Sequence, residues 1–458
     1  MAQAPSNKQI TEGVIWKQIL LFFFPILLGS FFQQLYNTVD TIIVGRALGT
    51  EALAAVGASG PILSLVYGFF IGMSSGATVI LSQCYGAGDR EGVKKALHTG
   101  IALALVLGLV IAVVGIIMAP QILALIGTPA NCIEGAITYC RIFLAGAVAT
   151  MIYNMGSGIL RAMGDSRRPM IFLIICCVIN IVADLLFIYV FQMGVAGAAL
   201  ATILAQCVSA VLILAVLMKQ DDEAKLEWKH LRFHKNILLS ILRIGVPAGI
   251  QFMMFDLSNL IVQSSINSFG DTAVAAWTAF GKTDGLTWQV NGAFGVAVTT
   301  FVGQNFGAQK YDRVRRSVWV CMGLSFAMVG GLSLLEFTFR HFILGIFTTD
   351  PEVIRIGAEM MACIVLFNAV FTPIEVFGGT MRGTGYSLQP TLIMCICICL
   401  IRVLWVVFVA SRWHTIRVLC MAYPITWILC AIIFFIVYLK GDWLHSRIQA
   451  LGMTPEER

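Results

Sequence analysis

Charge is what this chain has least of. Asp, Glu, Lys and Arg supply 12% of its 458 residues, against about 25% in a soluble domain. Histidine is scarcer still: the six (His98, His230, His234, His341, His414, His445) fall at the ends of apolar segments or in loops. A serine nucleophile needs a neighbouring base. The GASG at Gly57–Gly60 and the GMSSG at Gly72–Gly76 therefore do not make an intramembrane protease or a hydrolase elbow, which would also need a strand–turn–helix setting. No GxxxxGK[ST] loop occurs, which argues against a nucleotide-driven pump. The thirteen cysteines lie almost entirely within apolar segments, so no disulfide framework is expected. Cys395, Cys397 and Cys399 alternate, which on a helix points Cys397 away from the other two and suits packing better than a metal.

What is there instead is apolar: 59% of the chain, with a mean hydropathy of +0.88. In a bilayer core the backbone must satisfy itself, which leaves helices or closed barrels. The apolar segments are long rather than alternating ten-residue runs, so helices are expected. Polar punctuation divides the chain into twelve spans at about 16–43, 52–83, 92–119, 131–161, 168–190, 195–218, 237–267, 273–303, 313–339, 353–382, 388–410 and 417–439, each end good to about two to four residues. With residues 1–15 polar and the first span too long for an h-region, no cleavable signal peptide is expected. Placing the N-terminus in the cytoplasm puts Lys8, Lys17, Arg90, Lys94, Lys95, Arg161, Arg167, Arg168, the basic segment 219–243, Lys310, Arg313, Arg315, Arg316, Arg382 and the C-terminal tail inside. Only Arg46, Arg340, Arg355, Arg412 and Arg417 then lie outside, and this asymmetry predicts that both termini are cytoplasmic. The net charge of +6 is thus an orientation signal, and no nucleic-acid partner is expected.

The chain also repeats itself. Residues 48–97 align without a gap on 269–318, an offset of 221, with twelve of fifty positions identical, among them Gly49/Gly270, Gly60/Gly281, Gln83/Gln304 and Gly86/Gly307. The same offset pairs Arg161, Gly164, Ser166 and Pro169 with Arg382, Gly385, Ser387 and Pro390. A tandem duplication in a membrane protein points to a transporter. Residues 1–218 are expected to form one six-helix bundle, 219–236 a cytoplasmic linker, and 237–458 a second bundle, pseudo-symmetric with the first around a central cleft. Pro25 in the first span and Pro247 in the seventh each remove a backbone hydrogen bond. Each reads as a hinge that moves or as a static kink.

Ionisable side chains at bilayer depth are costly and usually functional. Gln33, Tyr36 and Asp40 share a face of the first span, and Asn180 and Asp184 a face of the fifth; Asn154 lies in the fourth and Thr202 in the sixth. Burial disfavours the charged form of a carboxyl, which then holds a proton near neutrality. Alternatively, Asp40, Asn180, Asp184 and Thr202 offer hard oxygen ligands for Na+. The repeat offset carries Asp40, Asn180 and Asp184 to Ile261, Ile401 and Trp405, so only the first half has this cluster. The second half has Asp256, Lys282, Asp284, Glu375 and Arg402, read either as cavity residues or as a structural ion network in which Lys282 pairs with Asp284 or Glu375.

The segments PILLGSFFQQLYNTVDTIIVGRALGTEALAAVG and SQCYGAGDREGVKKA resemble the multidrug and toxic compound extrusion (MATE) family. INSFGDTAVAAW, GQNFGAQKYDRVRR, LRAMGDSRRP and MRGTGYSLQP extend the resemblance over about residues 16–440. It implies an all-α membrane fold, two six-helix bundles about a V-shaped cavity, and export of organic cations or amphipathic drugs in exchange for H+ or Na+, without a further cofactor. It also implies that Asp40, Asn180, Asp184 and Thr202, with Gln33, Tyr36 and Asn154, match the polar cluster of archaeal-type members. Asp256 stands near the acid that some branches carry in the seventh span, in a slightly different register. A monomer in a bacterial or archaeal cytoplasmic membrane is expected. A flippase for lipid-linked saccharides is the alternative, disfavoured by twelve spans and by acids rather than bases in the cleft.

Overall fold

The computed structural model describes residues 10–220, 224–441 and 443–450, and among these every regular element is a helix. The acidic part of the expected linker, 221–223, and both chain ends, including Lys8, lie outside the described residues. Nine described helices have the length and apolarity of a membrane span. The first of these, Ile15–Gly86, is too long for one: at 1.5 Å per residue its 72 residues would far exceed a hydrocarbon core of about 30 Å, and Gly49 breaks it with φ 83° and ψ −174°. Ile133–Ala145 and Ala147–Ala162 form one further span, bent by 48° at Gly146. Asp271–Gly307, the eighth span, carries Lys282, Asp284 and Asn291 and completes the twelve. Large apolar side chains such as Leu109, Ile117, Val182 and Phe342 stand exposed. A water-soluble surface does not tolerate many of these together, whereas lipid does.

The duplication is visible in the backbone. Gly270 repeats the break of Gly49, with φ 88° and ψ 175°, a conformation that only glycine adopts without strain. Gly164 and Gly385, again 221 apart, both have φ 91°. The bend at Gly146 corresponds to the 3-10 turn Val365–Phe367 of the tenth span, Pro351–Gly383. The fifth span, Arg167–Val190, ends in the π-helical turn Leu186–Val190, and the eleventh, Leu388–Trp413, contains the π-helical turn Trp405–Ala410 at the corresponding place. Such π segments mark local rearrangements that recur at functional sites. Cys395, Cys397 and Cys399 lie in another π segment of the eleventh span, all as free thiols.

Packing divides the chain differently from the repeat. Phe24–Gly249 form one compact unit, and the described residues before Phe24 pack with those from Ile250 onward. The first span therefore changes partners one residue before Pro25, and the seventh, Lys235–Asn267, two residues after Pro247. In the first unit the seventh span meets the second backbone to backbone. A Cβ added to Gly72 would lie 2.1 Å from the Gly249 nitrogen, and one on Gly76 would lie 2.4 Å from the Ile241 carbonyl oxygen and 2.8 Å from the Gly245 nitrogen. Small residues spaced by four allow this approach where lipid supplies no hydrophobic drive. The GMSSG sequence is thus a packing face, and Pro247 sits between the two glycines that meet it.

Candidate functional site

The first unit gathers the acids of the first and fifth spans in its interior. Asp40 is 7% exposed, Asn180 and Asp184 are 0% exposed and Thr202 is 6% exposed. Helical spacing puts Asn180 and Asp184 on one face, directly before the π turn. Asn180 Nδ2 donates to Thr202 Oγ1 at 3.4 Å, and Thr202 Oγ1 donates to the Ala198 carbonyl at 3.2 Å. The Asp40 and Asp184 carboxyls interact directly, within reach of Tyr139. No Lys, Arg or His pairs with either among the described residues.

The polar accounting around these groups does not close. Asp40 Oδ1, Asn180 Oδ1 and both carboxyl oxygens of Asp184 are buried without a hydrogen-bond partner among the described residues. Leaving a buried acceptor unpaired costs about 1–3 kcal/mol, more when it is charged. Two like charges in contact cannot both stay ionised unless something positive lies between them. The chemistry that satisfies these oxygens is a proton shared by the carboxyls, or a small hard cation held by Asp40, Asp184, the Asn180 carbonyl oxygen and the Thr202 hydroxyl. The donor set fits Na+ as well as H+.

Beside the acids runs a phenol–amide network. Gln33, Tyr36 and Tyr67 lie in hydrogen-bonding reach of one another, and Gln206 Nε2 donates to the Tyr67 hydroxyl at 3.2 Å. Phe143 packs against Tyr67 and Tyr139, with ring centroids 6.3 Å away in each case. Tyr67, Tyr139 and Gln206 are additions to the residues singled out from sequence. Gln206 stands one helical turn after Thr202 and so carried a readable signal; the tyrosines carried none. Asn154 Nδ2 donates to the Thr150 carbonyl on its own helix at 2.9 Å.

The second unit corrects the expected ion network. Lys282 is exposed and pairs with neither acid among the described residues. Asp284, 7% exposed, accepts from Trp288 Nε1 at 2.7 Å and from Asn368 Nδ2 at 2.6 Å. Glu375 binds Arg382, at 3.1 Å, and packs against Gly295, where a Cβ would meet its Oε2 at 2.9 Å. Asp256 is half-buried in the seventh span. Glu336, which sequence reasoning passed over, is buried in the ninth span, Tyr311–Thr338; its Oε1 accepts from Thr287 at 2.8 Å and its Oε2 has no partner. In sequence it looked like one more acid near a span end, and only the packing reveals its burial.

Arg402 is 0% exposed and has no carboxylate partner among the described residues. Its Nη1 donates to Asn259 Oδ1 at 3.1 Å, and its guanidinium lies 4.2 Å from the centre of the Tyr423 ring and 5.6 Å from that of Phe255. A planar cation stacks there; a compact ammonium does not. Arg402→Lys should therefore lower thermal stability by about 1–3 kcal/mol, from the lost stacking and fork geometry. A melting curve of the purified variant in detergent checks this, and an unchanged midpoint would show that the stack contributes nothing.

The MatE family model matches residues 25–186 and 247–408. The chain is 30% identical over 446 residues to the probable multidrug resistance protein YoeA of Bacillus subtilis, covering 95% of this chain and 96% of that one. It is 22% identical to the multidrug export protein MepA of Staphylococcus aureus, over 83% and 84% of the two chains. Among solved structures, a MOP superfamily transporter from Pyrococcus furiosus, described as having a binding pocket of reversed polarity, superposes with a TM-score of 0.89 at 23% identity, over 99% of this chain and 100% of that one. An outward-facing multidrug resistance MATE transporter of the same superfamily gives 0.88 at 24% identity, over 99% and 100%. At that identity these two likenesses speak for the fold.

Proposed function

The chain belongs to the MatE family, and from that premise we propose that it is a multidrug exporter driven by inward movement of H+ or Na+ through the Asp40–Asp184 pair. Its relatives' names supply the cargo class: multidrug resistance in one, multidrug export in another. The observation that carries the coupling is the set of four buried oxygens, on Asp40, Asn180 and Asp184, with no partner. A proton entering there would bridge the two carboxyls and Na+ would be a ligand partner for these oxygens, and the departure of either leaves two carboxyls in conflict. A site with that property differs in energy between loaded and empty states. A ligand shifts a conformational equilibrium only through such a difference. Drug and ion exchange if each favours a different state of the protein.

Both termini are assigned to the cytoplasm on the Lys and Arg distribution, and the multi-pass chain to a bacterial or archaeal cytoplasmic membrane, as a monomer, on its family likeness. The saccharide flippase is not favoured: the relatives are named for drug resistance. The purified protein in proteoliposomes, with pH and sodium gradients imposed separately, tests the proposal. Ethidium should move against one gradient and not the other. Movement indifferent to both would reject ion coupling.

A further inference from the structure

The two segments that lead into the first and seventh spans correspond by the repeat offset, Ile10 to Leu231 and Gly13 to His234. Each is held by side chains, and the two grips differ in kind. In the second unit, Arg313 donates to the carbonyls of Ile10, Glu12 and Gly13 and to Gln18 Oε1, at 2.8–3.2 Å, while Lys310 Nζ donates to the Thr11 carbonyl at 3.0 Å. This grip uses a guanidinium and an ammonium and no imidazole. In the first unit the corresponding segment is held on the third span, Arg90–Leu125, mainly by histidines.

His98, 1% exposed, ties that segment through Nε2, while Nδ1 is anchored on its own helix. Its Nδ1 lies 2.7 Å from the Lys94 carbonyl oxygen, so Nδ1 carries the proton, and its Nε2 accepts from the Glu227 backbone N–H at 3.1 Å. His234 is arranged alike. Its Nε2 accepts from Arg232 Nε at 3.1 Å, leaving Nδ1–H to face Thr99 Oγ1 at 3.2 Å, and that hydroxyl also accepts from the His234 N–H at 3.3 Å. Both rings must be neutral, because an imidazolium has no lone pair to accept with. Leu226, 2% exposed, is buried alongside.

We propose that Leu226–His234 is a pH-operated latch, closed while His98 is neutral and released when its Nε2, which holds the Glu227 N–H, takes up a proton instead. The charged neighbours support this sense. From the third span Lys94, Lys95 and Glu91 face the cluster; from the segment itself come Glu227, His230, Arg232 and His234, with Asp89 and Lys235 lining the adjoining pocket. Burial, then Arg232 and Lys95, hold His234 below its ordinary value. Glu227 is held below the usual carboxylate range by Lys94 and His230, so it stays ionised throughout. The bond between His230 Nδ1 and Glu227 Oε2, 2.6 Å, gains from acid, but both residues belong to the segment, so it ties nothing to the third span. The docked state thus binds fewer protons than the released one, and docking weakens as pH falls below about 6.5, the value of a free histidine. Release would unfasten the entry to the seventh span on the face that receives protons if the exporter is proton-driven.

Hydrogen exchange of the full-length protein in lipid nanodiscs tests this without any transport measurement, so its failure would leave ion coupling untouched. Corrected for intrinsic rates, exchange over 224–234 should rise about tenfold between about pH 8 and about pH 5.5, one unit below the free histidine value. The segment held by Arg313, residues 10–14, should stay flat. His98→Gln cannot be protonated, so its exchange over 224–234, slow or fast, should be the same at both pH values. Lys94→Met should keep the response, because the ion pair is not the trigger. A flat wild-type profile, a response surviving in His98→Gln or lost in Lys94→Met, or an equal rise over 10–14 would each overturn the latch.

Discussion

Asp184→Asn protein in proteoliposomes should take up ethidium no faster with an imposed pH or sodium gradient than without one. Asparagine has almost the shape of aspartate, so the fold should persist. It has neither the charge nor the second acceptor oxygen that a bound cation needs. Coupling between two ligands typically amounts to about 1–3 kcal/mol, a factor of roughly 5 to 150, and that factor is what the variant should lose. Stability should not fall with it. Both carboxyl oxygens of Asp184 lack partners in the wild type, and removing one of two like charges in contact relieves repulsion. A melting midpoint equal to or above wild type, together with lost gradient dependence, separates a functional site from a structural network. A large drop in the midpoint would identify the cluster as structural.

The second large effect concerns the glycine contact. Gly72→Val should abolish folding of the first unit, because its Cβ would sit 2.1 Å from the Gly249 nitrogen and 2.3 Å from the Gly249 Cα. Both obstacles are backbone atoms, so no side-chain rotation relieves the clash and the second and seventh spans must separate. Overpacking costs about 1–3 kcal/mol where side chains can yield, and more is expected here. The readout is the monodisperse peak on size exclusion in detergent, which should disappear. Gly57→Val, at a position where an added Cβ meets nothing within 4 Å, is the control and should elute as wild type. Normal elution of Gly72→Val would mean that the spans are not in backbone contact.

The sequence was most legible where a residue declares its environment unaided. An aspartate in an apolar helix is such a residue, and Asp40 and Asp184 stood out without knowledge of how their helices rotate. The 221-residue repeat was equally plain, and it foreshadowed paired features such as the positive φ of Gly49 and Gly270. Legibility failed where meaning depends on a partner from a distant span. Lys282 reads as half of an ion pair, but the neighbours that satisfy Asp284 are Trp288 and Asn368. Gly72 and Gly76 belong to a rejected enzyme motif, and their packing role shows only when Gly245 and Gly249 are placed against them. Glu336 acquires interest only through Thr287, 49 residues away in sequence. The packing boundaries beside Pro25 and Pro247 were also hidden, because repeats fix where a duplication begins and contacts decide where a unit ends.

One measurement bears most directly on the claim that a cation occupies the Asp40–Asp184 pair and leaves it when drug binds. Ethidium is added to the nanodisc-embedded protein in weakly buffered solution, and the H+ or Na+ released is counted against the drug bound. Wild-type protein should release cations on binding, whereas an Asp40→Asn/Asp184→Asn double variant should bind ethidium and release none. Equal release from both proteins would contradict the account.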